Sequence, residues 1–390
     1  MAHVARIVVV LCLLFGFSLS RGQDQSIRIG ERTTVHSTML NEERPLLIYT
    51  PDRYGVGTQR YPVVYLLDGN SHFLPVSGVV QFLAGLGLAP QMIVVAIPNT
   101  DRTRDLTTPD RADTTHQFPT AGGADRFLSF MTDELAPYVE AHYRTEPFRI
   151  LIGHSLGGLF AVHTLFRNPD AFNAYIAMSP SLWWDNGSEL DVARKFFLSH
   201  REVRRFLYMT LGSEGRQMQE PAEGMAGILK ENAPPGLQWK YLRIPEETHG
   251  TIPLRSAYEG LKFVFTGFAY AGSNADSGLS KLVQYYADLS ERLGYKVDPP
   301  EVTVNTFGYT LLQEKKIQEA LAMFRFNVRL YPGSANVYDS LADGLEANNE
   351  KASARENCET ACSLGEKNAD PNLRAYTAHR DRLAGRTEKK

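Results

Sequence analysis

The stretch Arg149-Ile150-Leu151-Ile152-Gly153-His154-Ser155-Leu156-Gly157-Gly158 decides how this chain is read. Ile150 to Ile152 is an apolar run with the character of a buried strand. It passes at once into Gly153-His-Ser-Leu-Gly157, the G-x-S-x-G spacing of a serine held on a sharp strand-to-helix turn. Such a turn needs small residues two before and two after the serine. It lifts Oγ above the sheet edge and aims the next helix's N-terminus at a reacting carbonyl, where it stabilises developing negative charge. The helix is visible: Leu159, Ala161, Val162, Leu165 and Phe166 recur at helical spacing until Asn168-Pro169 stops them. Two glycines around a serine also arise by chance, but a strand before and a helix after argue for a nucleophile at Ser155. His154 is read as packing or as exposed beside the turn, with no catalytic role.

Outward from this stretch, strands and helices alternate. Strands are expected at Thr33–Val35, Leu46–Tyr49, Tyr61–Leu67, Met92–Ile97, Ala174–Met178, Phe206–Leu211 and Trp239–Ile244. Helices are expected at Val76–Leu88, Gly123–Tyr143 and Leu254–Phe268. This alternation over residues 30–270 predicts an α/β protein with a mainly parallel sheet and helices on both faces; with the serine turn it fits the pattern of the α/β-hydrolase fold. Ligands then bind at the carboxyl ends of the strands.

The site residues follow from that rim. The order nucleophile, acid, histidine requires a histidine after the last strand. Of the ten histidines only His249 fits, with Gly250 beside it to let the loop bend. Its expected role is general base. Glu214, directly after a strand, is the preferred acid that fixes the imidazole. Asp185 is its rival, Glu220 and Glu223 are weaker, and a Ser–His dyad is the alternative. Oxyanion donors are expected at the Leu156 amide and at Gly69 or Asn70, in the glycine-bearing turn after Tyr61–Leu67. Arg102 and Arg104 are candidates for an anionic or catechol-like group of the substrate. A loop held by its own Asp–Arg pairs is the competing reading. Trp183 and Trp184 either wall a binding site or lie in the core under a lid.

Four segments carry a family resemblance: Tyr65-Leu-Leu-Asp-Gly69, Ile97-Pro-Asn-Thr-Asp-Arg-Thr-Arg-Asp105, Gly153-His-Ser-Leu-Gly-Gly158 and Ser179-Pro-Ser-Leu-Trp-Trp184. Together they resemble the esterase D-type branch of the α/β hydrolases, and within it the exported esterases related to the trilactone-siderophore esterases. The resemblance covers residues from about 30 to 270. It implies a serine hydrolase of carboxylic esters or thioesters with no cofactor and no metal. It carries Ser155 as nucleophile and His249 as base, and leaves the acid irregular. The family spans siderophore, formyl-glutathione, acetyl-xylan and feruloyl esters and mycolyl transfer, so it does not choose the substrate. An acyltransferase with the same triad remains an alternative, as does a non-catalytic scaffold.

Composition is ordinary for a globular chain of 390 residues, with 43% hydrophobic and 22% charged residues. A net charge of −3 gives no reason to expect nucleic acid or an anionic membrane as partner. His3 and Arg6 precede an apolar run from Ile7 to Phe17 and then small residues, so 1–22 reads as a signal peptide. The expected location is periplasmic or secreted, with no membrane span after cleavage. The division is then 1–22 leader, 23–275 esterase domain and 280–390 helical region. In the last, a comparison at 34 residues aligns Phe307 with Leu341, Gly308 with Ala342, Leu311 with Leu345, Ala320 with Ala354 and Phe324 with Cys358. That period is similar to tetratricopeptide repeats. The region is expected to buttress the hydrolase, with a bound protein or peptide as the alternative. Cys358 and Cys362, four apart on a helix, are expected as buried thiols. Along the sequence neither has metal-ligating company.

Overall fold

The structure is a computed structural model that describes residues 27–52, 54–270 and 278–385. The leader 1–22 lies outside the described residues. Two short-loop strands open the fold, β1 (Glu31–Ser37) and β2 (Glu42–Tyr49). β3 (Tyr61–Leu66) is buried at every position and runs into α1 (Gly69–Gly85). β4 (Ile93–Ala96) is equally buried and is followed by the short α2 (Arg102–Leu106). Next come α3 (Ala124–Ser129) and α4 (Ala136–His142), joined through a π-helical turn at Phe130–Leu135. One unbroken helix was expected here. Pro137 has no N–H for the carbonyl one turn back, and the widened turn absorbs the missing bond. α1 also differs: it begins at Gly69 rather than after Pro75, which puts Asn70 in its first turn.

β5 (Thr145–His154) leads into α5 (Leu156–Arg167), and β6 (Ala174–Met178) into α6 (Trp184–Ser199). β7 (Arg205–Leu211), α7 (Arg216–Asn232), β8 (Leu237–Arg243) and α8 (Ile252–Val264) complete the α/β part. The strands form one eight-stranded sheet in the order β1-β2-β4-β3-β5-β6-β7-β8. β2 pairs antiparallel with both β1 and β4, and every other pair is parallel.

The sheet is buried on both faces, which is why its central strands are apolar without alternation. Val63 and Tyr65 face one core with Phe127, Phe160 and Phe197. Val64 and Leu66 face the other with Val80, Leu261 and Val264. That second core does not stop at α8. It continues through Leu282 and Tyr286 of α9 (Leu279–Leu293) to Val304 of α10 (Glu301–Gln313) and Phe324 of α11 (Ile317–Leu330). Phe148 of β5 touches Tyr295 across this seam, ring centroids 5.2 Å apart. α12 (Ala335–Ala347), α13 (Lys351–Lys367) and α14 (Leu373–Leu383) end the described chain. The carboxyl region is therefore all-helical and shares apolar core with the sheet. Gly308 and Gly344 both admit the ring of Phe324, where a Cβ would stand 2.4 and 2.9 Å from it. Cys358 and Cys362 are free and buried. Among the described residues no helix is long and apolar enough to cross a membrane.

Candidate active site

Ser155 sits between the last residue of β5 and the first of α5 with φ 60° and ψ −114°, a strained conformation for a side-chain-bearing residue. Its backbone is pinned on both sides. Its N–H donates to the Met178 carbonyl at 3.0 Å, and its carbonyl accepts from Leu159 at 2.9 Å and Ser181 at 3.0 Å. The turn is so tight that a Cβ on Gly153 would stand 2.1 Å from the Gly157 carbonyl oxygen. Ser155 Oγ lies 3.2 Å from Ser181 Oγ.

The structure brings Glu214 and His249 together. Glu214 follows β7 through Gly212, where a Cβ would meet the Glu247 carbonyl oxygen at 2.7 Å. Its carboxylate is only 5% exposed, while His249 is 40% exposed. Oε2 meets His249 Nδ1 at 2.7 Å. Oε1 accepts from Ser179 Oγ at 2.5 Å and from the Gly212 N–H at 3.1 Å. A carboxylate only accepts, so Nδ1 carries a proton, and in the neutral imidazole Nε2 is then the nitrogen with the lone pair. Asp185, the rival acid, is committed elsewhere: Oδ1 accepts the backbone N–H of Arg111 at 3.0 Å and of Ala112 at 3.2 Å.

One expected oxyanion donor is corrected. The Gly69 N–H donates to the Ile97 carbonyl at 3.0 Å, so it is spent on joining β3's loop to β4's. Gly69 is a glycine for closeness, since a Cβ would lie 2.9 Å from Ile97 and Pro98 backbone atoms. The Asn70 and Leu156 amides lie in the first turns of α1 and α5, where helix geometry leaves N–H groups without an intrahelical acceptor.

Arg102 and Arg104 are both held by carboxylates, but only the Arg104–Asp105 bond lies within their own loop. Arg102 forks onto Asp68 at 2.6 and 3.0 Å and reaches the His154 carbonyl at 3.1 Å. Asn99 adds a bond to Asp68 at 2.7 Å. Burial, the largest influence, pushes the Asp68 carboxyl up, but the Arg102 bonds and charge outweigh it and hold it below the ordinary value. Arg104 bonds Glu42 at 2.6 and 3.0 Å and Asp105 at 2.7 Å. The tryptophans divide. Trp184 is buried, with Nε1 donating to the Thr108 carbonyl at 2.9 Å. Trp183 is half-buried and walls a cleft of about 500 Å³ with Leu190, Arg216 and Glu220. A second cavity, about 320 Å³, lies at the opposite ends of the strands, between Tyr61, Glu146, Tyr295 and Tyr331, and contains none of these groups.

Three residues escaped the sequence reading. Ser179 and Ser181 flank Pro180 at the end of β6, one bonded to Glu214 and the other to Ser155. The tryptophans three residues on drew the attention instead. His154 is neither idle packing nor free: its Nε2 bonds the His249 carbonyl at 2.8 Å.

The family model described as "Putative esterase" matches residues 37–230. The siderophore enterobactin esterase of Emericella nidulans is 38% identical over 152 residues, 34% of this chain and 50% of that protein. The ferri-bacillibactin esterase BesA of Bacillus subtilis is 38% identical over 143 residues, 32% of this chain and 49% of that protein. The chain thus spans about half the length of these curated relatives. An IroE-like serine hydrolase from Shewanella oneidensis superposes with a TM-score of 0.66 at 31% identity, over 75% of this chain and 95% of that one. On the sheet, the turn at Ser155 and these likenesses, the chain belongs to this esterase family of serine hydrolases.

Proposed function

We propose that the protein is an exported carboxylic ester hydrolase that works through an acyl-enzyme on Ser155. The observation that carries the reading is the bond from Glu214 to His249 Nδ1, on the same rim as the strained serine. It leaves Nε2 unprotonated and oriented, the state a general base requires. Ser155 Oγ turns from Ser181 to His249, gives its proton to Nε2 and attacks the ester carbonyl. The oxyanion accepts from the Leu156 and Asn70 N–H groups. Glu214 stabilises the imidazolium, which returns the proton to the departing alcohol. Water, deprotonated by the same Nε2, then releases the acid.

The substrate class is a siderophore lactone or a related ester. Its support is the siderophore-esterase activity for which the curated relatives are named. Export is supported by the leader pattern in 1–22. The helical region acts as a buttress, supported by the core it shares with the sheet. The test is Ser155→Ala against nitrophenyl esters and a panel of acetyl, feruloyl, thioester and siderophore lactone substrates. We expect the variant to fold and to lose turnover of every ester that the wild type cleaves. Full activity in Ser155→Ala would sink the reading.

A further inference from the structure

Far from Ser155 in sequence, folding gives one of the cysteines the company that its own stretch of chain lacks. Asp339 of α12, Cys358 of α13 and His379 of α14 each turn one donor atom to a common point, and these atoms all lie within 4.8 Å of one another. Cys358 is fully buried and the His379 side chain is only 9% exposed. His379 Nδ1 meets Asp339 Oδ1 at 2.8 Å.

The other side of the imidazole is also furnished. Asp343 and Glu346 follow Asp339 on the same face of α12, one and two turns on. Their oxygens lie 3.5 and 3.6 Å from His379 Nε2, a buried nitrogen with no hydrogen-bond partner of its own. These carboxylates are themselves oriented: Tyr309 donates to Asp343 at 2.8 Å, and Arg382 forks onto Glu346 at 2.6 and 2.8 Å. A ring with one nitrogen among sulfur and carboxylate donors, and the other facing a held carboxylate, is how proteins orient a metal-ligating histidine.

Charge points the same way. Three carboxylates surround one imidazole, and Arg382 answers one of them. A thiolate, an imidazole and a carboxylate are a zinc donor set, softer than magnesium or calcium selects. We propose that Asp339, Cys358 and His379 form a binding site for a zinc-type divalent transition-metal ion, with water in the fourth position, that ties the last three helices together. Binding releases the thiol proton of Cys358 and displaces the Nδ1 proton of His379, which leaves to solvent from the imidazolium or moves to Nε2 in the neutral ring. Nε2 then carries the ring hydrogen and faces Asp343 and Glu346.

The experiment uses the full chain, reduced and stripped with a chelator, then dialysed against zinc and separately against cobalt(II). We expect one equivalent of zinc per chain. The cobalt form should show a thiolate-to-metal charge-transfer band that Cys358→Ser abolishes. Asp343→Asn, which alters only the carboxylate behind the ring, should weaken zinc binding by about 10–100-fold. Asp339→Asn, an isosteric change at a partly exposed residue, covers the case in which the cysteine variant does not fold, and should weaken binding too. No zinc uptake by the reduced wild-type chain would overturn the proposal. So would equal uptake in Cys358→Ser and Asp339→Asn, since the metal would then sit elsewhere. An imidazolium clasp without metal is the alternative that either result would establish.

Discussion

His154 Nε2 lies 2.8 Å from the carbonyl oxygen of His249, so the residue before Ser155 holds the loop that carries His249. A carbonyl only accepts, and Nε2 is therefore the protonated nitrogen. The rings lie 4.6 Å apart. Burial first, then the charges of His249 and His72, lower the His154 pKa to about 4. The ring thus stays neutral, and in the proposed mechanism the tether persists when His249 takes the serine proton. His154→Phe should cut kcat by about 10–100-fold with KM little changed, because a misplacement of the base near 1 Å costs on that order. Steady-state kinetics on a nitrophenyl ester decide it; a kcat within twofold of wild type would show the tether to be idle.

Glu214 and Asp185 are separated by their partners. Glu214→Gln removes the charge behind His249 and permits the wrong tautomer. A loss of about 10³–10⁴ in kcat is expected, as for other triads. Asp185→Asn should leave kcat within about tenfold, since its oxygens hold only the backbone at Arg111 and Ala112. The two variants side by side make the comparison, and the reverse order of effects would reassign the acid.

Arg102 links the loops after β3, β4 and β5 through Asp68 and the His154 carbonyl. Arg102→Met would leave the Asp68 carboxylate, 8% exposed, without its charge partner. Breaking such a pair costs about 3–5 kcal/mol when fully buried, and Arg102 is partly exposed, so about 2–3 kcal/mol is expected. Urea midpoints measure it. A loss under 1 kcal/mol would mean that solvent already satisfies Asp68, and would return Arg102 to the pool of substrate contacts.

On α5, the helix that follows Ser155, His163 lies between Glu189 at 2.8 Å and Asp125 at 3.1 Å. Burial lowers its pKa, but the bonds to Asp125 and Glu189 prevail and raise it from 6.5 to about 9. A raised folded-state value means the stabilisation is complete below about pH 6.5 and is lost as pH rises through about 9. The contribution is on the order of 3 kcal/mol. Unfolding free energies at pH 6 and pH 10 should therefore differ more in the wild type than in His163→Phe. Equal pH slopes in both would contradict the ion triad.

Local rules carried most of the fold. Apolar runs such as Val63–Leu66 read as strands because both faces of a parallel sheet are buried, and the turn at Ser155 was legible because its glycines answer a clash inside five residues. The position of His249 after the last strand followed from chain order alone. What the sequence could not decide is which groups consume one another's hydrogen-bonding capacity. Gly69 and Asn70 are neighbours, yet Ile97, from another strand's loop, takes only the first amide. Arg102 is polar and on the rim, yet Asp68, 34 residues back, occupies its fork. Ser181 reaches Ser155 across 26 residues and His154 reaches His249 across 95. Side-chain partnership over such separations depends on sheet order and loop path, and a buried polar group takes whichever partner those paths deliver. The sequence by itself determined the strands of the sheet, the strained turn at Ser155 and a histidine in the loop after the last strand. Only the tertiary structure decided that Glu214 stands behind His249, that Asn70 keeps a free amide, and that Cys358 lies beside Asp339 and His379.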